Sequence, residues 1–560
     1  MGALFRLAGF LLAVVVFAPL FPTAWTAAPA IFDDITERAG ITWRHFGGES
    51  ADRFLIETSC GGVAFLDFDR DGLLDIYLVN GGETPRGKSP APVRNALYRN
   101  RGNGRFEEVA EKAGVAKAAS FGMGATAADY DNDGFTDLYV TGFPASVLYH
   151  NNGNGTFSEV TARAGVSDSG EWAASAAWID FDRDGFLDLF VANYAKLDFA
   201  RPKPCEYDGR PAYCDQKSYE GTGSRLYRNN RNGTFADVTR TSGISKFTGR
   251  AFGAISVDID GDGWQDLFVA CDATQNLLLL NQKNGTFQDF GLDAEVALNS
   301  DGMARSGMGV DAGDVNGDGR PDFAVTNFHD ELHALYLNTG TFPFAERSLE
   351  SGVGPLTKPF VGWGVRFLDY DNDGDLDLMI VNGHVTETIE RVRKDIRYKE
   401  RPLLLENDGS GRFRDRKDAA GPVFGAGYAG RGLAVGDIDN DGDLDAAFSC
   451  LNDRPVLLRN NAGQNRAWVG LQLQGRRSNR DAIGAKVTLQ AGTRRLARWV
   501  TSGGSFLASH DSRLTVGLGD NPPPVVTVEI VWPSGRRQTV TGLARNRYHP
   551  IIEDTTRFDK

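Results

Sequence analysis

Seven short segments of this chain crowd carboxylates at alternate positions. In DYDNDGDLD the residues Asp369, Asp371, Asp373 and Asp377 fall within nine positions. The same D-x-D/N-x-D-G-x-x-D pattern recurs as Asp67, Asp69, Asp71, Asp75; Asp129, Asp131, Asp133, Asp137; and Asp180, Asp182, Asp184, Asp188. It returns as Asp258, Asp260, Asp262, Asp266; Asp314, Asn316, Asp318, Asp322; and Asp437, Asp439, Asp441, Asp445. Like charges this close repel, so the pattern makes sense only around a cation. Positions one, three, five and nine supply oxygen ligands, and position seven can add a backbone carbonyl. The glycine at position six permits the positive φ that folds the loop around an ion. An all-oxygen, carboxylate-rich set suits Ca²⁺, whereas Zn²⁺ favours His and Cys and Mg²⁺ keeps more of its water. The expectation is about seven Ca²⁺ per chain, with the Asn316 site among the weaker. An EF-hand would need a Glu at position twelve and flanking helices. Here position twelve is apolar (Leu78, Val140, Val191, Val269, Val325, Ile380, Phe448) and the flanks are β-rich runs such as GVAFL and IYLVN.

These loops must therefore join strands. Their starts at 67, 129, 180, 258, 314, 369 and 437 define an internal repeat. Each unit holds a strand entering the loop, a strand leaving it, a third ending in L-x-x-N, and a fourth after an Asn-Gly type turn. The third ends at Asn100, Asn151, Asn229, Asn281 and Asn338 in successive units. Four antiparallel strands repeated seven times predict an all-β fold, a seven-bladed β-propeller with calcium loops. A fourth-strand signature, Phe followed eight residues later by Gly, occurs at Phe106, Phe157, Phe235, Phe344 and Phe413 and is degenerate at Phe287. It is missing after the seventh loop and present at Phe32 to Gly40. The first strand of the mature chain is thus expected to complete the last blade and leave no open edge.

Loops of this kind preceded by FGMGA (Phe121 to Ala125) or AFGA (Ala251 to Ala254) resemble the FG-GAP/VCBS repeats of integrin-like propellers. After Asn465 the texture changes. SNRDAIGAKVTLQAG, SGGSFLASHDSRLTVGLG and VEIVWPSGRRQTVTGL resemble an ASPIC/UnbV domain. Propeller plus such a tail is similar to the layout of the cartilage acidic protein 1 family. The expected organisation is a signal peptide at 1–30, a propeller at 31–463 and a small β-rich, sandwich-like domain at 464–560.

The formal charge of −14 reflects the loops, where twenty-seven aspartates sit at ligand positions, and seven divalent ions would offset it. No basic stripe of the kind nucleic acid requires is present, so nucleic acid is excluded as a partner. Arg6, an apolar run from Leu7 to about Leu20 and small residues ending at Ala30 read as a secretory signal. The location implied is secreted or periplasmic, with no membrane span after cleavage. Cys205 and Cys214, in RPKPCEYDGRPAYC, are expected to form a disulfide, and Cys60, Cys271 and Cys450 to be buried free thiols.

Strand alternation puts the calcium loops and the Asn-Gly turns on one face and the long insertions on the other. Long loops on a rigid scaffold are where binding usually resides. The ligand-face candidates are Glu57, Asn80, Trp172, Asn193, Arg305, His384 and Arg431, each with the plainer alternative of a loop-capping or packed side chain. Enzyme motifs are scarce. HDELH (His329 to His333) lies in a blade, where residues i and i+4 are about 13 Å apart, too far to share a zinc ion. GRRSNR (Gly475 to Arg480) is a basic loop, either a solvated turn or an anion contact. Three function classes follow: a secreted calcium-stabilised binding or adhesion module for a protein or glycan, an enzyme using the propeller channel, or an accessory factor in assembly of another extracellular component.

Overall fold

The computed structural model describes residues 30–117 and 121–554. The expected signal segment lies, but for Ala30, outside the described residues. Among those described, no helix is long and apolar enough to cross a membrane.

Seven antiparallel sheets each contribute four strands of the repeat. In the first, Val63–Leu66, Asp75–Leu78, Ala96–Asn100 and Phe106–Glu108 pair in that order. Sheets stack face to face, so their second strands are apolar without alternation; Asp188–Asn193, DLFVAN, is buried throughout. The innermost strands are Val63–Leu66, Phe121–Ala128, Ala173–Ile179, Ala251–Val257, Val310–Gly313, Gly362–Leu368 and Gly430–Gly436. Each packs against the next, and the last against the first, so the sheets form a ring. Phe32–Asp34 pairs antiparallel with Val456–Asn460, Phe32 opposite Asn460, and supplies the fourth strand of the seventh sheet. The chain thereby closes its ring with its own first strand.

The Phe-to-Gly signature has a local cause. The fourth strand runs into a single helical turn, Ala110–Ala113 or Thr161–Ala164, which stops at Gly114 or Gly165 in the left-handed conformation. In the degenerate copy Glu295 takes that place at φ 56°.

After residue 463 the chain builds a sandwich. One sheet pairs Trp468–Gln474 with Leu514–Gly517 and Tyr548–Ile552. The other orders Arg494–Trp499, Lys486–Ala491, Val525–Val531 and Arg537–Ala544. Val469, Leu471, Val487, Leu489, Val528 and Ile530 are buried between them.

One segment of this region leaves the sandwich and enters the ring. Ser502–Gly503 pairs with the inner strand of the fourth sheet and Ala508–Ser509 with that of the first. Ser502 Oγ accepts the N–H of Trp178, Ser505 Oγ that of Val365, and the Ser505 carbonyl that of Val310. Ser509 Oγ accepts the N–H of Ala127, and His510 Nδ1 that of Val435. Residues 502–510 thus touch the inner strand of all seven sheets, which only a segment on the ring axis can do. Phe506 lies against Trp363 (centroids 4.7 Å apart) and Phe252 (5.4 Å), within an apolar cluster that includes Met123, Trp172 and Met308. Glycines at the inner strands make room: a Cβ at Gly62, just before Val63–Leu66, would sit 2.7 Å from Gly124 Cα and 2.8 Å from the Leu507 carbonyl. The centre of the propeller is a packed core rather than an open channel.

Candidate metal centres

Each acidic loop folds on its own aspartates. In the first, Asp67 accepts the N–H of Asp71 (3.1 Å) and of Gly72 (3.0 Å), and Asp71 that of Leu73. The bond from the position-six glycine to the first aspartate recurs in all seven loops. That glycine has φ between 83° and 96° throughout, as expected. Position four is also left-handed, at Arg70, Asn132, Arg183, Asn372 and Asn440, a feature the sequence pattern left unmarked.

The ninth-position aspartate has a second task. Asp75 Oδ2 accepts the N–H of Phe68, and its Oδ1 that of Asn100 at the end of the third strand. The same pair of bonds holds Asp137, Asp188, Asp266, Asp322, Asp377 and Asp445. Each third-strand asparagine then reaches back to the preceding blade. Asn151 Nδ2 donates to the Phe68 carbonyl, Asn229 to Tyr130, Asn281 to Phe181, Asn338 to Ile259, Asn407 to Val315 and Asn460 to Tyr370. Asn100 closes the circle on Ile438, with all seven bonds 2.7–2.8 Å long. The L-x-x-N motif, read in the sequence only as a strand marker, is a set of seven staples between neighbouring loops.

Electrostatically the loops are suited to a cation. In at least four of them three carboxylates bring ligand atoms within 4.8 Å of one another: Asp67, Asp69 and Asp71; Asp129, Asp131 and Asp133; Asp180, Asp182 and Asp188; Asp258, Asp260 and Asp262. Asp69 Oδ1, Asp131 Oδ1 and Asp369 Oδ1 are buried without a hydrogen-bond donor. Burial first, and neighbouring carboxylates with it, push Asp180 and Asp369 up to about 7 and Asp258 up to about 6. A hard divalent ion would satisfy these oxygens and reverse the shifts, so the residues fit the ion their spacing implies.

The sandwich docks on this same face. Tyr548 Oη donates to Asp437 Oδ2 (2.8 Å) and the Gly517 N–H to Asp369 Oδ2 (3.2 Å). Arg466 pairs with Asp371 at 2.6 Å, Arg513 donates to the Asp437 carbonyl, and Lys486 to that of Gly319. The basic loop at Gly475 to Arg480 wraps the Glu553 carboxylate, which accepts the N–H groups of Arg476, Arg477 and Ser478, and it touches the second acidic loop. Its Arg480 N–H donates to Asn132 Oδ1, and the guanidinium lies 3.6 Å from Asp129.

The opposite face corrects several expectations. Glu57, Asn80, Trp172, Asn193, His384 and Arg431 are buried, and the Arg305 side chain keeps only a tenth of its surface. Arg431 donates to the carbonyls of Thr58, Gly383 and Gly430 and stacks on Trp363. Arg305 pairs with Glu346, and Glu57 accepts from Ser50 and Tyr213. Asn80 and Asn193 cap neighbouring backbone at Arg94 and Gly223, and His384 meets His329 at 3.2 Å. These polar groups serve the fold, the plainer of the two readings. The Cys205–Cys214 disulfide is present, and Cys60, Cys271 and Cys450 are buried and free. His333 of HDELH is buried with its Nδ1 on the Asn327 N–H, apart from the His329–His384 pair.

Comparison with known proteins agrees with these features. An FG-GAP-like repeat matches residues 67–140, 129–191, 216–269, 258–325 and 314–380, and an ASPIC and UnbV model matches 475–557. Cartilage acidic protein 1 of Mus musculus is 28% identical over 517 residues, covering 88% of this chain and 73% of its own. That of Homo sapiens is 26% identical over 450 residues, covering 77% of this chain; the alignment spans 62% of the human protein's length. Among solved structures, the BP39L lectin from Burkholderia pseudomallei aligns with 72% of this chain and 97% of its own at 12% identity and a TM-score of 0.42.

Proposed function

The chain belongs to the family that joins FG-GAP-like repeats to an ASPIC and UnbV domain, that of cartilage acidic protein 1, and on that premise we propose that it works as an exported, calcium-stabilised binding or adhesion module for an extracellular protein or glycan. The observation that carries this reading is the set of buried, donorless carboxylate oxygens in the repeated loops. Calcium would be held by the first, third, fifth and ninth positions of each loop, about seven ions in all, and would supply the positive charge these carboxylates lack. Bound there, it holds the loop face rigid and with it the docked sandwich.

The face left for a ligand is the one opposite the loops, since the sandwich occupies the loop face. One exposed insertion there is the disulfide-tied hairpin Cys205–Tyr207 and Arg210–Ala212, with Tyr207 at 40% exposure. An enzyme working through the ring's centre is the weaker reading, because Ser502 to His510 and the Phe506 cluster fill that space.

Elemental analysis of the calcium-equilibrated protein should count about seven ions, and two or fewer would overturn the metal part. Secretome capture on immobilised protein should retain a partner in millimolar calcium and lose it in chelator. Tyr207→Ala and Arg210→Glu should weaken that capture; unchanged capture would place the ligand elsewhere.

A further inference from the structure

In three blades the residue just before the third-strand asparagine meets the acidic loop of its own blade. That position holds Arg99 in the first blade, Arg228 in the third, Leu280, Leu337, Glu406 and Arg459 in the fourth to seventh, and His150 in the second alone. In the first and third blades the guanidinium serves as a built-in counter-ion. Arg99 Nε lies 2.6 Å from Asp69 Oδ2, and Arg228 Nε 2.6 Å from Asp182 Oδ2, both at position three of the loop.

In the second blade an imidazole stands there instead. His150 Nδ1 lies 3.3 Å from Asp131 Oδ2 and 3.2 Å from Asp137 Oδ1, and the three donor atoms all fall within 4.8 Å of one another. Nδ1 is buried and has no hydrogen bond of proper geometry, and Asp131 Oδ1 is likewise without a donor. Two ligand atoms each about 2.1 Å from one ion, at tetrahedral or slightly smaller angles, sit about 3.2–3.4 Å apart. The observed separations therefore match ligands of a common ion. The donor set also differs in kind from the other loops. One imidazole nitrogen and two carboxylates favour a borderline first-row ion over Ca²⁺, which seeks oxygen only.

We infer that the second blade carries a transition-metal site, formed by Asp131, Asp137 and His150 and suited to Zn²⁺ or a similar divalent ion, overlapping its all-oxygen set of Asp129, Asp131, Asp133 and Asp137. Asp131 and Asp137 are common to both sets, so the two ions would be neighbours or alternatives at this loop. Where the first and third blades neutralise position three with a fixed arginine, the second recruits its counter-charge from solution.

The test uses tag-free full chain in millimolar calcium, dialysed against micromolar Zn²⁺ and, separately, Co²⁺. The chain has only 7 histidines, which keeps background binding low. Wild type should retain one equivalent of Zn²⁺, and Co²⁺ should give a visible absorption band altered by the imidazole ligand. His150→Arg and His150→Leu install residues that other blades carry at this position, so both should melt normally in calcium. Each should lose the Zn²⁺ equivalent and the Co²⁺ band. Wild type that takes up no Zn²⁺, or variants that keep it, would overturn the inference. Should either variant fail to fold, the wild-type Zn²⁺ count and a shift of one histidine ring in its NMR spectrum decide the matter.

Discussion

The two faces of this propeller differ in how they use polar residues. On the loop face the same residue types do the same work in every blade. An aspartate clamps the third strand and an asparagine staples the preceding blade, and in the first, second and sixth loops a carboxylate oxygen is left unmet. On the opposite face the repetition is partial: Asn80, Asn193, Asn327 and Asn382 each donate to a carbonyl of their own insertion, while the other contacts occur once. Arg431 holds three carbonyls beneath its insertion, Arg305 pairs with Glu346, and Trp172 is part of the axial cluster. A function repeated around a ring leaves a periodic trace, whereas a single structural contact between distant loops leaves none.

If the faces differ in this way, removing the cation should be the largest perturbation. At about 1 mM free calcium and a Kd of about 0.1 mM, each site adds about 1.4 kcal/mol, or about 10 kcal/mol for seven independent sites. Calorimetry should show the melting midpoint falling by roughly 10 °C in chelator for a chain of this size. An unchanged midpoint would mean the loops are not calcium sites. The pH response should reverse with the ion. Without metal, burial raises Asp75 to about 8 and Asp137 to about 7, above their unfolded values. The folded state then binds more protons than the unfolded one, so stability in chelator is greatest near pH 4 and declines as pH rises through 7 and 8. In excess calcium that decline should vanish, because acid then expels the ion.

Arg431→Met removes a buried cation from three carbonyls and should cost about 3 kcal/mol in urea unfolding. A neutral result would mean Arg431 is held for a ligand rather than for the fold. Asn281→Ala cuts the staple to Phe181 and the bond to Gln265 of its own loop and should cost about 2 kcal/mol even in saturating calcium. If calcium rescues it fully, the staple acts only through the ion. Tyr207→Ala, on the exposed hairpin, should change stability by less than about 0.5 kcal/mol. A larger loss would make that hairpin part of the core.

Much of the loop face was legible in the primary structure. Asp, Gly and Asn at fixed spacing dictate local turns and strand ends, because backbone conformation and short-range hydrogen bonding depend on neighbours in sequence. Closure by Phe32–Asp34 was legible too, since a missing fourth strand at one end matched a surplus at the other. The ligand-face residues were not. Whether Glu57 or Arg431 faces solvent depends on which insertion folds over it, and chain spacing carries no record of that.

By itself, then, the order of residues determined the repeat, the four-strand unit, the acidic loops and the disulfide, all products of contacts within one blade or one insertion. Three things were decided only by tertiary structure. Asn100, Asn151 and their counterparts bind the preceding blade because ring packing brings that blade's carbonyls within 2.8 Å. Ser502 to His510 fill the axis because seven inner strands leave a gap that one extended segment can satisfy with hydrogen bonds. His150 faces Asp131 and Asp137 because the third strand of its blade packs over the loop. In each case the partners are dozens to hundreds of residues apart or meet across a strand pairing, and proximity of that kind exists only once the chain has folded.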